Sequence, residues 1–189
     1  MKQEIFGLSL TELQIRLAEM GLKRFRAKQI FSWLYRKCVF DFSAMTNLSL
    51  AERDTLAEYF SILPGEIICL RQLDSADGLT QKLLLQLLDG NTIETVLMHH
   101  DYGYSVCVSS QVGCDMHCAF CASGLNGAVR NLTQTEILAQ VYFFNARLAA
   151  AGQRVSRVVV MGSGEPMLNF DNVFGALQFL HLPETANMS

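Results

Sequence analysis

Apolar and polar positions over residues 8–60 follow the spacing of α-helices. Two helix starts have the capping-box pattern, in which a carboxylate follows a hydroxyl residue three positions later: Ser9 with Glu12, and Ser49 with Glu52. Gly21 is typical of a helix end. Between these signals, one stripe of apolar side chains recurs at helical spacing: Ala27, Ile30, Phe31, Leu34 and Tyr35. The pattern predicts a small N-terminal helical domain over residues 1–63.

After Pro64 the pattern changes to one that is typical of β-strands. Three strands are predicted, over residues 66–73, 79–88 and 91–98. Asp89-Gly90, between the second and the third, is a dipeptide that favours a tight hairpin turn. Residues 64–100 are therefore predicted to be strands and a hairpin that link two domains.

Residues 101–189 alternate between strand and helix patterns. A strand over residues 104–110 runs into a loop with three cysteines. A helix follows from Thr133, which forms a further capping box with Glu136. The apolar face of this helix is predicted to consist of Ile137, Val141, Phe144 and Leu148.

A second strand is predicted over residues 157–161, because its β-branched run is typical of a parallel strand that is buried on both faces. It ends in the loop Gly162-Ser163-Gly164-Glu165-Pro166, and Asp171 is predicted to cap another helix. Strand, loop and helix thus occur twice, which predicts an α/β fold with either a parallel sheet or a βα barrel. Two units cannot close a barrel, so a barrel here would be partial. Both loops follow the carboxyl ends of strands, where such folds place catalytic groups.

Charge and hydropathy limit the contacts with nucleic acid and the cellular location that we expect for this protein. The formal net charge is -3, so any contact with nucleic acid must be local. The basic cluster Lys23, Arg24, Arg26 and Lys28 is one candidate, and a solvated helix start is the alternative. The apolar stretches at 83–88 and 158–161 are far shorter than the roughly 20 residues of a membrane span. No signal-peptide pattern begins the chain, so we expect a cytoplasmic protein without a membrane segment.

Three of the six cysteines fall within eight residues, which indicates metal or redox chemistry rather than disulfides. Cys114, Cys118 and Cys121 are spaced to hold one 4Fe-4S cluster with one iron left open. A structural zinc site would require four ligands. His117 and Cys107 are the alternatives for a fourth ligand, although His117 would have to turn back sharply and Cys107 lies in a predicted strand.

An open iron can bind the amino and carboxylate groups of S-adenosylmethionine (SAM), and electron transfer then cleaves the sulfonium to a 5′-deoxyadenosyl radical. The Gly-Glu-Pro loop fits this chemistry. Its glycines permit a close approach of the backbone to a ligand. The carboxylate of Glu165 can pair with an ammonium group. The alternative interpretation of this loop is a strand-to-helix turn with an exposed glutamate.

The chain resembles the radical SAM RNA methyltransferases of the RlmN/Cfr type. The resemblance rests on sequence runs over most of the chain: residues 25–33, 45–48, 93–98, 107–114, 118–122, 130–133, 161–166 and 169–172. The run Cys107-Val108-Ser109-Ser110-Gln111 before the cysteine loop narrows the family most, because many radical SAM enzymes share only the cysteine loop. Ser163 departs from the family, which more usually has methionine there.

The resemblance implies roles for individual residues. The three loop cysteines would be ligands of the 4Fe-4S cluster, and Gly164 with Glu165 would contact SAM. Glu94 matches the position of a proton acceptor. The alternative interpretation of Glu94 is an ordinary exposed glutamate of a hairpin strand. Cys107 matches the cysteine that removes a proton from the adenine carbon and releases the product; a buried small apolar side chain is its alternative.

The resemblance also implies methylation of adenosine C2 in 23S rRNA and tRNA, an electron donor such as a flavodoxin system, and a monomer. The helical domain would help to hold RNA, while Phe31 and Trp33 are predicted to be core residues rather than base-stacking platforms. Proteins of the family continue for well over a hundred residues beyond Ser189. If the chain ends there, we expect a truncated protein with reduced or no activity. The alternatives are a C8-specific Cfr-type activity and a non-catalytic fragment that retains a metal site.

Overall fold

The computed structural model describes residues 2–186 and 188 as an α/β structure. Its α-helices are α1 (Leu10–Glu19), α2 (Arg26–Phe31), α3 (Leu50–Tyr59), α4 (Leu63–Glu66), α5 (Gln134–Ala149) and α6 (Phe170–His181). Its strands are β1 (Gln3–Glu4), β2 (Phe60–Ser61), β3 (Ile68–Asp74), β4 (Thr80–Gln86), β5 (Thr92–His100), β6 (Gly103–Cys107), β7 (Gln111–Gly113), β8 (Ala128–Asn131) and β9 (Val155–Val159). None of the helices within these residues is long and apolar enough to cross a membrane.

The helix starts predicted from the sequence are confirmed. Capping boxes with reciprocal hydrogen bonds begin α1, α3 and α5, at Ser9, Ser49 and Thr133. Helix α1 ends just before Gly21, whose φ of 74° lies in the left-handed region that favours glycine. The predicted apolar stripe is buried throughout. Local capping signals therefore set these helix boundaries.

Five strands form one mixed sheet in the order β3-β4-β5-β6-β9. Neighbours from β3 to β6 are antiparallel, whereas β6 and β9 are parallel and are connected through α5. The hairpin between β4 and β5 is confirmed, and Gly90 has a φ of 84°. Residues 63–66 form a helical turn, so β3 begins later than predicted. The strands that were predicted to link two domains, β3 to β5, belong to the same sheet as β6. The division of the chain at residues 63 and 100 stays a prediction.

The two faces of this sheet differ in character. One face carries buried side chains that share a core with α5: Leu83, Leu85, Ile93 and Val106. Cross-strand register places Lys82 opposite Val96, and Val96 opposite Cys107. Because alternate residues of a strand share a face, Glu94 lies on the same face as Val96 and Cys107. We call this second side, on which Lys82 and Glu94 are exposed, the open face.

Aromatic side chains join the N-terminal helices to α5 and α6. The ring of Tyr35 lies 5.3 Å from that of Tyr142 and 5.1 Å from that of Phe179, and the ring of Phe6 lies 5.2 Å from that of Tyr142. Such pairs each contribute about 0.5–1.5 kcal/mol beyond their burial. The Tyr35 hydroxyl also accepts a hydrogen bond from the Gly7 amide at 2.8 Å. The helices and the sheet thus share one core.

Two predictions about the second βα unit are wrong in part. The strand after α5 is not buried on both faces: β9 is the last strand of the described sheet, Arg157 is exposed, and Met161 is 80% exposed. No neighbouring strand covers its outer side within the described residues. Helix α6 is preceded by Asn169, and Asp171 lies in its first turn rather than at its cap. The described sheet is not closed into a barrel.

Candidate cofactor site

The loops that follow β6 and β9 lie side by side. Since the two strands are parallel, their carboxyl ends meet at one edge of the sheet. The Val108 amide donates to the Val159 carbonyl at 2.9 Å, and the Gly162 amide donates to the Val108 carbonyl at 3.0 Å. These backbone hydrogen bonds bring the segment 108–111 against the predicted SAM-binding loop, residues 162–166.

Ser109 joins three parts of the site. Its hydroxyl donates to the Glu94 carbonyl at 2.7 Å and accepts the Ser163 amide at 3.0 Å. Its own backbone is held by Gln140, whose side-chain amide accepts from the Ser109 N–H and donates to the Ser109 carbonyl. Both Ser109 and Gln140 are fully buried. Ser109 therefore connects β5, α5 and the loop that follows β9.

The predicted SAM-binding residues lie in a tightly fitted turn. Gly164 has a φ of 105°, and a Cβ atom there would lie 2.6 Å from Cβ of Gln111, so only glycine fits. Oε1 of Glu165 accepts the Met167 amide at 3.0 Å and caps the short 3₁₀ helix Pro166–Asn169. A role of Gly164 and Glu165 in SAM binding stays a prediction.

The three loop cysteines differ in their surroundings. Cys114 follows β7 directly and is buried, and its amide donates to the Gly127 carbonyl at 3.2 Å. Cys118 and Cys121 are exposed and are connected by a turn in which the Cys121 amide donates to the Cys118 carbonyl at 3.0 Å. Across residues 2–186 and 188, no three His, Cys, Asp or Glu side chains are grouped so that they could hold a metal ion. The cluster assignment, like the zinc alternative with His117, stays a prediction.

The chemistry of the cysteine loop nevertheless suits an iron-sulfur cluster. The Ser123 backbone amide and hydroxyl, with the Gly124 amide, donate hydrogen bonds to Cys121 and hold the pKa of its thiol below its usual value. The thiolate is the form that ligates metal. The Ser123 hydroxyl also lies 3.3 Å from the Ser163 hydroxyl, which joins the cysteine loop to the loop after β9. The donor chemistry of the loop therefore fits thiolate ligation of a cluster beside the glycine-rich loop. Convergence of the three thiols on one cluster stays a prediction.

Glu94 and Cys107 lie on the open face of adjacent strands, β5 and β6. The carboxylate of Glu94 pairs with the Lys82 ammonium, with Oε1 and Nζ 2.7 Å apart. Partial burial raises the pKa of the Cys107 thiol, and a hydrogen bond from the Met161 backbone lowers it by less. The net effect favours the protonated form of the thiol. The structure brings these two predicted residues onto one surface, and their catalytic roles stay predictions.

The four residues of the N-terminal basic cluster differ in their surroundings: one forms an ion pair between helices, and three are exposed. Nε of Arg26 pairs with Glu52 at 2.8 Å, and its Nη1 donates to the Asn47 carbonyl, so this guanidinium holds α2 against α3. Lys23, Arg24 and Lys28 are exposed. Phe31 is a core residue, as predicted, whereas Trp33 is only partly buried and donates from its indole N–H to Asn47.

Sequence reasoning did not assign roles to the polar residues that hold the site together: Ser109, Gln111, Gln140 and Asn169. The Nδ2 atom of Asn169 donates to the Ser110 and Leu132 carbonyls at 2.7 and 2.8 Å. One signal was available, because a polar run that directly follows a buried strand requires hydrogen-bond partners. Those partners lie up to 59 positions away in the chain, beyond the reach of a local pattern.

Comparison with known proteins identifies relatives along the whole chain. The family described as "Ribosomal RNA large subunit methyltransferase N-terminal domain" (RlmN_N) matches residues 3–62. A "Probable dual-specificity RNA methyltransferase RlmN" of Spiroplasma citri is 48% identical over 180 residues, which are 95% of this chain and 51% of that protein. The protein of the same name from Staphylococcus aureus (strain bovine RF122 / ET3-1) is 46% identical over 187 residues, 99% of this chain and 50% of that protein.

A solved structure also superimposes on the chain. It is a radical SAM methyltransferase from Sphaerobacter thermophilus, with a TM-score of 0.92 and 41% sequence identity. The match covers 99% of this chain and 54% of that one. The chain therefore spans about half the length of the relatives that it matches.

Proposed function

We propose that the chain contributes the cluster-binding part of a radical SAM enzyme. The RlmN N-terminal domain family matches residues 3–62, and the chain is similar to RlmN-type RNA methyltransferases over about half of their length. The proposed reaction is methylation of adenosine C2 in 23S rRNA and tRNA. We propose that the five-stranded sheet is the first part of a βα barrel and that the open face is the inner side of this barrel. The proposed setting is the cytoplasm, with an electron donor such as a flavodoxin system.

One observation carries this proposal: the cysteine loop and the glycine-rich loop meet at the carboxyl ends of β6 and β9, where the hydroxyls of Ser123 and Ser163 lie 3.3 Å apart. A 4Fe-4S cluster ligated by Cys114, Cys118 and Cys121 would supply the electron that cleaves bound SAM to a 5′-deoxyadenosyl radical. The adjacent loop offers a carboxylate for the ammonium group of SAM, from Glu165.

Residues of the open face fit the handling of the RNA base. Cys107 offers a half-buried thiol at the end of β6, next to the two loops. Glu94 offers a carboxylate on the neighbouring strand, and its backbone carbonyl is fixed by Ser109. We assign Cys107 and Glu94 to proton movements at the adenine, and the exposed basic residues Lys23, Arg24 and Lys28 to phosphate contacts.

Anaerobic reconstitution with iron and sulfide tests the cluster. We expect about four irons per chain and a visible absorption spectrum that changes on addition of SAM. Cys118→Ala and Cys121→Ala should lose iron, whereas Cys107→Ala and the control Cys69→Ala, which lies on β3 outside the loop, should retain it. Zinc bound by the same cysteines, with no such spectrum, would contradict the proposal.

Mass spectrometry of nucleosides tests the substrate. Ribosomal and transfer RNA from cells that lack their own enzyme and express this sequence, within a protein of the relatives' length, should contain 2-methyladenosine. Methylation at C8 instead would assign the Cfr-type activity, and unmodified adenosine with an intact cluster would reject the RNA substrate.

A further inference from the structure

Gln111 lies between the two loops of the candidate site and is almost fully buried, with 4% of its surface exposed. It begins β7, three residues before Cys114. Its Oε1 accepts the backbone amide of Glu165 at 2.9 Å, and its Nε2 donates to Oδ1 of Asn131 at 2.7 Å. Both ends of the side-chain amide are therefore engaged, one on the glycine-rich loop and one on β8.

The same residue also contacts the two positions before Glu165. The backbone amide of Gln111 donates to the Ser163 carbonyl at 3.1 Å. The Gly164 backbone packs so closely on the Gln111 side chain that an added Cβ would lie 2.6 Å from Cβ and 2.7 Å from Cγ. Three successive residues of the loop thus rest on Gln111.

Asn131 determines which way the Gln111 amide points. Nδ2 of Asn131 donates to the Leu168 carbonyl at 3.0 Å, so the atom that Asn131 presents to Gln111 is its acceptor, Oδ1. Gln111 must then offer its NH₂ group to Asn131, which leaves Oε1 for the Glu165 amide. A carboxylate at position 111 would place an acceptor against an acceptor. The site requires an amide, with a donor on one side and an acceptor on the other.

We propose that Gln111 is a positioning residue for SAM binding, acting through the backbone of Gly164 and Glu165. This inference rests on the proposed function, because it assumes that the loop receives the amino-acid end of SAM. Gln111 does not contact the ligand in this proposal; it fixes the turn that presents the Glu165 carboxylate. Asn131 acts one step further away, by orienting the Gln111 amide.

The experiment uses the 189-residue chain with Gln111→Ala, Gln111→Glu, Asn131→Ala and the double variant Gln111→Ala/Asn131→Ala. The matched control is Asn145→Ala, which removes another buried side-chain amide, one that accepts the Val155 amide at the opposite end of β9. Hydrogen exchange of residues 160–168 in the cluster-free chain reports how firmly the loop is held. Iron content and the dissociation constant of SAM are measured after reconstitution.

We expect Gln111→Ala to keep its iron, to exchange faster over residues 160–168, and to bind SAM about tenfold more weakly, which corresponds to about 1.4 kcal/mol. Gln111→Glu should behave similarly. Asn131 acts only through Gln111 in this proposal. The double variant should therefore bind SAM no more weakly than Gln111→Ala alone. The control should lose stability without either change.

Unchanged exchange in Gln111→Ala, or an equal change in the Asn145 control, would overturn the positioning role. Faster exchange combined with wild-type SAM affinity would also overturn it, since Gln111 would then hold the loop without contributing to SAM binding. If the wild-type chain forms no cluster and binds no SAM, the proposed function fails. The exchange measurement would still decide separately whether Gln111 holds the loop.

Discussion

The ammonium of Lys82 lies 2.7 Å from the Glu94 carboxylate on the open face of the sheet, across the β4–β5 pair. Both side chains are substantially exposed, at 42% and 49%. Ion pairs in such positions contribute only about 0–1 kcal/mol to stability, since water screens the charges. The pair therefore contributes little to the stability of the fold.

Replacement of either partner should have a small effect on folding. Lys82→Met and Glu94→Gln are each expected to change the free energy of unfolding by less than about 1 kcal/mol, because neither leaves a buried charge. Urea denaturation at low and high salt measures this effect. A loss of several kcal/mol would mean that Glu94 is a structural residue, against its proposed role on the base.

Arg130 should behave in the opposite way. Its guanidinium binds both oxygens of Glu136, at 2.8 and 2.7 Å, and its Nε binds Asp89 at 2.7 Å. Arg130→Met would leave the nearly buried Glu136 carboxylate without this partner, so we expect a loss of about 2–3 kcal/mol, less than for a fully buried pair. Arg130→Lys should recover little, because an ammonium cannot make the two parallel hydrogen bonds. Full recovery by lysine would contradict this account.

Asp89 should contribute to acid sensitivity. Hydrogen bonding to Arg130, with a smaller contribution from Asn91, lowers the pKa of Asp89 to about 2 from the usual 3.8. A lowered pKa in the folded state means that the contribution is complete above the unfolded value and is lost as the pH falls toward 2. Asp89→Asn should therefore flatten the dependence of unfolding free energy on pH between about 4 and 2. The two proteins should retain parallel curves above pH 5.

Glu4 should have the opposite pH dependence. Burial raises the pKa of its carboxyl to about 7 from 4.5, despite a hydrogen bond from the Phe6 amide. The folded state then binds more protons than the unfolded state, so stability falls as the pH rises from about 4.5 to 7. Glu4→Gln should raise the melting temperature at pH 8 by about 2–4 °C and leave it almost unchanged at pH 4. A lower melting temperature at pH 8 would contradict the assignment.

Ser109 and Ser163 form a matched pair of hydroxyl deletions. Ser109→Ala removes a buried hydroxyl that satisfies both the Glu94 carbonyl and the Ser163 amide, so we expect a loss of about 2 kcal/mol. Ser163→Ala removes only the contact with Ser123 and should cost less than about 1 kcal/mol. Thermal and urea unfolding measure both changes. Equal losses would mean that the Ser109 hydrogen bonds contribute nothing specific.

Features encoded within a few residues were predictable from the sequence. The three capping boxes, the Asp89-Gly90 turn and the buried stripe of the N-terminal helices each follow from short-range spacing. The cysteine loop was recognisable for the same reason. Its residues could be named before any tertiary contact was known.

Features that depend on distant partners were not predictable. The parallel pair of Gln3–Glu4 with Phe60–Ser61 is too short to leave a periodic pattern, and its two strands are separated by three α-helices, α1 to α3. Exposure of β9 depends on which strands lie beside it rather than on its own β-branched run. The role of Gln111 emerges only when Asn131 and Glu165 are seen on either side of its amide.

The aromatic cluster around Tyr35 and Tyr142 has a consequence for how this sequence can change. Two of its rings come from the N-terminal part of the chain, and the other two come from α5 and α6. The N-terminal helices and the helices that pack on the sheet therefore bury these rings against each other. The two parts should melt in a single cooperative transition. Chimaeras that exchange residues 1–63 between homologues should remain stable only when positions 142 and 179 are exchanged with them, and natural variation at Phe6, Tyr35, Tyr142 and Phe179 should be correlated.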